Sequence, residues 1–329
     1  MAQKRRKKKR SKKLRTQRRI ILSLVLVIFV LAGIIAISGS GIKRPNADKP
    51  VQTDQPTGTV EETDPRKEGF YTVLLCGTDD GNGGTDTIML LAMDTENNRA
   101  NLVSFPRDTL VNEDWTVKKI NSAYNRGGIE SVRKQVNKIV GFPVDYYVTV
   151  DLQAFIEVID AIGGVEFNVS INMNYDDPLQ NLHIHFKAGM QKLDGQAAME
   201  VMRFRKNNNG GGYPMQDLGR IETQQAFLKA VAEKLLSPAS IGKIPEYIRI
   251  FSDHVDSDLS LGEMIWLGNA GMKIGLENMT FSTLPGAAST YRGASYYILD
   301  PAACLELINA GLNPYQAPRT AADLDIKTA

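Results

Sequence analysis

The chain has 329 residues and a net charge of only +2. That length allows one large domain or two small ones once tail and linker are set aside. The balance hides a split: residues 1–19 hold 12 of the 39 basic residues and no acid, leaving 27 basic against 37 acidic beyond them, a net of −10. Two cysteines, Cys76 and Cys304, exclude a disulfide framework, although a single bridge stays open.

The stretch IILSLVLVIFVLAGIIAI, residues 20–37, carries no charge. Eighteen residues at ~1.5 Å each span ~27 Å, close to a hydrocarbon core. The span is longer than a signal-peptide core, so an uncleaved anchor over 20–38 is favoured over cleavage near Ala36 and Ser38. Lys and Arg immediately before a span orient it, which puts residues 1–19 in the cytoplasm and the rest outside. That position makes the basic tail an orientation or anionic-lipid signal, and no nucleic-acid partner is expected.

Residues 39–68 are rich in Pro, Gly, Thr, Asp and Glu and read as a flexible linker. The folded body is expected over 69–315, with a short tail from 316 to 329. FYTVLLCG reads as a buried strand, with Cys76 a small core residue, and TDDGNGGTD as a glycine-rich acidic loop. TIMLLAMD and RANLVSF are strands joined by a turn at TENN. A helix is predicted over 129–139, stopped by Gly141. The strand DYYVTV leads through Asp151 as a cap into the helix LQAFIEVIDAI, which ends at Gly163–Gly164. VEFNV and LHIHF are further strands. A helix over LDGQAAMEVM, the polar insertion KNNNGGGYPMQ and a long helix over 217–236 follow. That last helix carries Leu218, Ile221, Leu228, Val231 and Leu235 on one stripe. The fold class is α/β: a mixed β-sheet sandwiched between α-helices in three layers, preceded by one transmembrane helix.

Three places carry chemistry. The acidic loop holds Asp79, Asp80 and Asp86. At SFPRDT the proline ends strand pairing and presents Arg107 beside Asp108. RFRK and DLGRIETQ contribute Arg203, Arg205, Asp217, Arg220 and Gln224. Arg203 and Arg205 would lie ~200° apart on a helix but on one side of an extended segment, and the preceding helix is expected to end near Met202. Asp217, Arg220 and Gln224 share one face of the long helix, near its N-terminus, where anions are favoured. Arginine binds phosphate oxygens bidentately, and Mg²⁺ is commonly held by one or two carboxylates together with substrate phosphates. The set fits a diphosphate with a divalent cation; scattered ion pairs on a solvated face are the competing reading. His183 and His185 alternate on a strand and share its face, but no further zinc ligand is evident at a fitting position.

TDTIML, SFPRDT, KINSAY, DGQAAMEVMRFRK and DLGRIETQQ, in this order and spacing, resemble the LytR–CpsA–Psr family of extracytoplasmic cell-wall proteins. The resemblance runs over about 70–236 and weakly to about 310. It implies a single-pass membrane protein that transfers a glycopolymer, through its phosphate, from a polyprenyl-diphosphate carrier to peptidoglycan. It further implies an apolar tunnel for the lipid chain. Arg107, Lys119, Arg203, Arg205, Arg220 and Gln224 are implied to bind the diphosphate. Arg107, Asp108 and Arg220 are implied in catalysis, and Asp79 and Asp86 in holding Mg²⁺, or Mn²⁺. Asp108 would either orient Arg107 or take the proton of the incoming hydroxyl. Two positions depart from the family pattern: Gly84 and Thr223 stand where arginine is common. A non-catalytic polyprenyl-phosphate sensor or scaffold, and a lipid-diphosphate hydrolase, are alternative functions.

Overall fold

The computed structural model describes residues 42–46, 64–78, 85–178, 182–204, 206–213, 223, 226–227, 230–231, 234 and 243–328. Residues 1–41, with the expected anchor, lie outside that set, as do Asp79, Arg205, Arg220 and Gln224. Among the described residues no helix is long and apolar enough to cross a membrane.

In chain order the elements begin with β1 (Phe70–Thr78), β2 (Thr85–Asp94), β3 (Arg99–Phe105), α1 (Tyr124–Val140), β4 (Tyr146–Asp151) and α2 (Leu152–Ala161). Next come β5 (Val165–Val169), β6 (Met173–Asp177), β7 (Leu182–Phe186), β8 (Gly189–Leu193), α3 (Gly195–Arg203) and α4 (Ile244–His254). The last are β9 (Val255–Ser257), α5 (Leu261–Ile274), β10 (Met279–Thr283), β11 (Gly286–Tyr291), β12 (Ala294–Leu299) and α6 (Pro301–Gly311). They divide into two compact units, one from 41–151 with 255–329, the other from 152–254.

The first unit is built on a mixed six-stranded sheet in the order β10-β3-β2-β1-β4-β9. The strands β1, β3, β4 and β10 run one way, and β2 and β9 oppose them. β1 is buried from Phe70 to Cys76, and apolar there apart from Thr72, because it is central and covered on both faces. Leu74 and Cys76 pack with Val132, Val136 and Val140 of α1 and with Cys304 and Ile308 of α6. On the opposite face the Tyr71 ring meets Trp266 of α5 edge-on, with centroids 5.3 Å apart. Helix α1 is regular from Ile129, beyond non-helical Gly127 and Gly128, and ends at Gly141 in the left-handed conformation. Both cysteines are free and buried. Burial pushes the Cys76 thiol far above its ordinary range and Cys304 to about 12, so both are packing residues.

Residues 64–68, within the stretch whose composition reads as linker, are seated on this unit. Arg66 donates to the buried Asp145 carboxylate at 2.8 Å, and the Thr72 amide and hydroxyl reach the same oxygen at 2.8 Å each. The C-terminal segment closes over the same region: Arg319 pairs with Asp64, and Leu324 and Ile326 join the core.

In the second unit two hairpin-like pairs, β5–β8 and β6–β7, accompany α2, α3 and α4. Asp194 caps α3, and Gly195 meets α2 so closely that a Cβ there would lie 2.2 Å from the Ile156 carbonyl oxygen. The described part of the 217–236 helix buries Thr223, Phe227 and Val231, spaced i, i+4 and i+8. Phe227, absent from the predicted stripe, is fully buried and packs edge-on against Phe167. Of the stripe itself Val231 is described, and the other four residues, three leucines and one isoleucine, lie outside the described residues.

Candidate functional site

Register places the candidate residues of the first unit at one end of its sheet. Thr78, Phe105, Asp151 and Thr283 are the C-terminal ends of the four co-directional strands. That is the end where open α/β sheets present ligand sites. The acidic loop leaves β1 here and re-enters at β2. Gly77 pairs with Thr87 and Thr78 with Thr85, so Asp86 is the extra residue of a β-bulge. Bulges recur beside active sites because they re-aim one residue of a strand. Thr85, next to it, is fully buried, and among the described residues its hydroxyl has no hydrogen-bond partner. A buried unpaired oxygen beside a carboxylate-rich loop fits a hard, oxygen-seeking cation such as Mg²⁺.

Arg107 and Asp108 follow β3 directly. Pro106 ends the pairing, and its carbonyl accepts from the Thr109 amide at 2.8 Å and hydroxyl at 2.6 Å, a tight turn that lifts residues 107–108 to the lip. Two neighbouring segments hold this turn. The Tyr297 amide of β12 donates to the Asp108 carbonyl at 2.8 Å, and the Asn121 amide to the Arg107 carbonyl at 3.2 Å. Leu110 forms a bridge with Lys119, which brings the lysine back over the turn. Lys119 Nζ then lies 3.0 Å from Asp108 Oδ1, while Arg107 Nε is 3.9 Å away. The ammonium also sits 5.6 Å from the Tyr296 ring centroid. Arg107 and Asp108 are about half exposed, and Lys119 less so at 27%. Three candidate residues thus meet in one cluster, and the tyrosines that support it come from β12, a strand with no candidate residue.

In the second unit Arg203 is the last residue of α3. The helix was expected to end near Met202, and it does, one residue on at Arg203; Arg205 lies outside the described residues. Phe204 caps it: its amide bonds to the Glu200 carbonyl at 3.1 Å, its backbone leaves the helical conformation, and its ring is buried against Tyr213. The burial of Phe204 fixes this end, and Arg203 closes the helix with a helical backbone. Thr223, at a family arginine position, is buried, with its hydroxyl 3.4 Å from that of Ser170.

Residues 37–311 match the model of the LytR_cpsA_psr family. The polyisoprenyl-teichoic acid–peptidoglycan teichoic acid transferase TagV of Bacillus subtilis is 28% identical over 297 residues, covering 83% of this chain and 74% of that protein. The similarly named TagU of Enterococcus faecalis is 29% identical over 258 residues, covering 74% of this chain and 80% of that protein. The crystal structure of B. subtilis TagV superposes with a TM-score of 0.52 at 25% identity, over 74% of this chain and 96% of that one.

Proposed function

The chain belongs to the LytR–CpsA–Psr family, and on that premise we propose that it moves a glycopolymer, through its phosphate, from a polyprenyl-diphosphate carrier to peptidoglycan. Teichoic acid is the polymer class that the names of its relatives favour. The observation that carries the reading is the Arg107–Asp108–Lys119 cluster on the lip where the co-directional strands end. A fixed guanidinium and an ammonium there offer charge to an anion without closing the lip to a sugar.

In this reading Arg107 binds phosphate oxygens with its planar fork, and Lys119 adds a point charge. Arg203, Arg205, Arg220 and Gln224 are assigned to the same diphosphate by family position. Asp79 and Asp86 would hold Mg²⁺, or Mn²⁺, which when bound neutralises diphosphate charge. Asp108 takes the proton of the acceptor hydroxyl. The hydroxyl oxygen bonds to the polymer's phosphorus, the bond from phosphorus to the bridging oxygen breaks, and polyprenyl phosphate leaves with the electron pair. Arg220 stabilises that leaving phosphate. Positioning and charge neutralisation supply the catalysis, with no covalent enzyme intermediate.

We place the protein in the cell membrane through residues 20–38, with 1–19 cytoplasmic and the body extracytoplasmic in contact with lipid and wall. Protease added to intact spheroplasts should digest the body; protection would reverse the topology. The function itself is tested with full-length protein in vesicles, lipid-linked polymer and peptidoglycan. Polymer covalently joined to peptidoglycan is expected. Polymer freed to water would make the protein a hydrolase, and polymer left on lipid would make it a binding module.

A further inference from the structure

The hairpin β6–β7 supplies what the sequence alone did not: further ligands beside His183 and His185. In its antiparallel register Asp176 lies opposite His183 and Asn174 opposite His185. Side chains alternate, so these four stand on the solvent face, while Met173 and Ile184 fill the core from the other. Asp176 Oδ1 is 2.7 Å from His183 Nδ1 and 3.1 Å from His185 Nε2. One donor atom from each of Asp176, His183 and His185 lies within 4.8 Å of the other two.

We propose that Asp176, His183 and His185 form a binding site for a divalent transition metal of the Zn²⁺ class. Two ~2.0 Å bonds at a tetrahedral angle separate their donors by ~3.3 Å, so to admit an ion the Asp176 contacts open by about 0.6 Å at His183 and about 0.2 Å at His185. Two imidazoles and one carboxylate suit zinc, and water completes the shell on this exposed face. Mg²⁺ prefers oxygen donors, so the site is chemically separate from the acidic loop.

Two independent features support it. His185 Nδ1 lies 2.7 Å from Asn174 Oδ1. A neutral imidazole has one N–H; donated to Asn174, it leaves the Nε2 lone pair facing the Asp176 carboxylate. A cation between them satisfies both, and the Asn174 contact is the orienting outer-shell bond that metal-bound histidines carry. The second feature is bracing. The turn at 206–212, within the polar insertion, bonds the outer edge of β6. Asn207 Oδ1 accepts from the Asn174 amide at 2.6 Å, Asn208 Oδ1 accepts from the Asp176 amide at 3.0 Å, and the Asn208 amide donates to the Asn174 carbonyl at 3.1 Å. The strand bearing Asp176 and Asn174 is therefore held before any ion arrives.

The test is calorimetric titration of the full-length protein in detergent with Zn²⁺ against excess Mg²⁺. The chain has three histidines, and the third, His254, pairs with Glu157 at 3.0 Å, which gives a control. Wild type and His254→Ala should each bind one Zn²⁺ per chain, and Co²⁺ should give a tetrahedral d–d absorption. The double variant His183→Ala/His185→Ala should lose that ion with circular dichroism unchanged. Asn174→Ala should weaken it by about 10–100-fold, the usual effect of an outer-shell partner. Zn²⁺ binding that survives intact in the double variant, or a wild type that takes no Zn²⁺, would overturn the site.

Discussion

Lys119 Nζ stands 3.0 Å from Asp108 Oδ1, nearer than the guanidinium of the adjacent Arg107 at 3.9 Å. The lysine is held there by its backbone bridge to Leu110 and by the Tyr296 ring. Asp108 therefore leans toward Lys119, and the Arg107 fork keeps its half-exposed position on the lip. Lys119→Ala should let Asp108 close on Arg107 and compete with phosphate, lowering transfer by about tenfold. Asp108→Asn should cost about 10²–10⁴-fold, the scale of a lost general base. In the Asp108→Asn background Lys119→Ala should add little, since the charge that would compete for Arg107 is already gone and the base is already lost. Full additivity in transfer rates would separate the two residues' roles.

Asp86 sits at a β-bulge next to the orphaned Thr85 hydroxyl. Asp86→Asn should shift the Mg²⁺ dependence of transfer to higher concentration and lower its plateau, with the circular dichroism spectrum unaltered. Wild-type metal dependence in this variant would remove Asp86 from the ion.

Glu113 offers a pH test of the fold. Desolvation pushes its carboxyl up. Hydrogen bonds from Lys138 and Gln135, with the charges of Lys138 and Lys134, outweigh that and hold it below its ordinary range. A depressed folded pKa means stability present above the unfolded value, ~4.3 for glutamate, and lost as pH falls through the folded value. Urea unfolding from pH 7 to 3 should show an acid-side fall that is shallower in Glu113→Gln. Parallel curves would make the pair energetically silent.

Gly195→Ala tests the close contact of α3 with α2. A methyl group would meet the Ile156 carbonyl at 2.2 Å, which is backbone and cannot rotate aside. Overpacking of this kind costs about 1–3 kcal/mol, measurable by denaturant unfolding; an unchanged midpoint would mean the helices part freely.

Much of this was legible in the chain. The apolar run 70–77 announced a doubly covered strand, Gly141 announced a left-handed helix stop, and Pro106 announced the lip that carries Arg107. What escaped depends on distance along the chain. Arg66 reads as linker because its partner Asp145 is 79 residues away. What fixes the end of α3 is Phe204 finding Tyr213 across a turn. Asp176 becomes a neighbour of His183 only through hairpin register, and spacing alone does not reveal register.

The central claim is that a cation on the strand lip lowers the barrier to phosphoryl transfer. The direct measurement is transfer rate and lipid-donor affinity, side by side, for wild type, Arg107→Ala and Arg107→Lys. Contacts that strengthen as the leaving phosphate gains charge affect turnover more than binding. Arg107→Ala should therefore slow transfer by about 10²–10³-fold, the scale of one preorganised donor, while donor affinity falls far less. Arg107→Lys should recover little, because a point charge cannot bind bidentately. Equal losses of affinity and rate, or full activity in Arg107→Ala, would contradict the account.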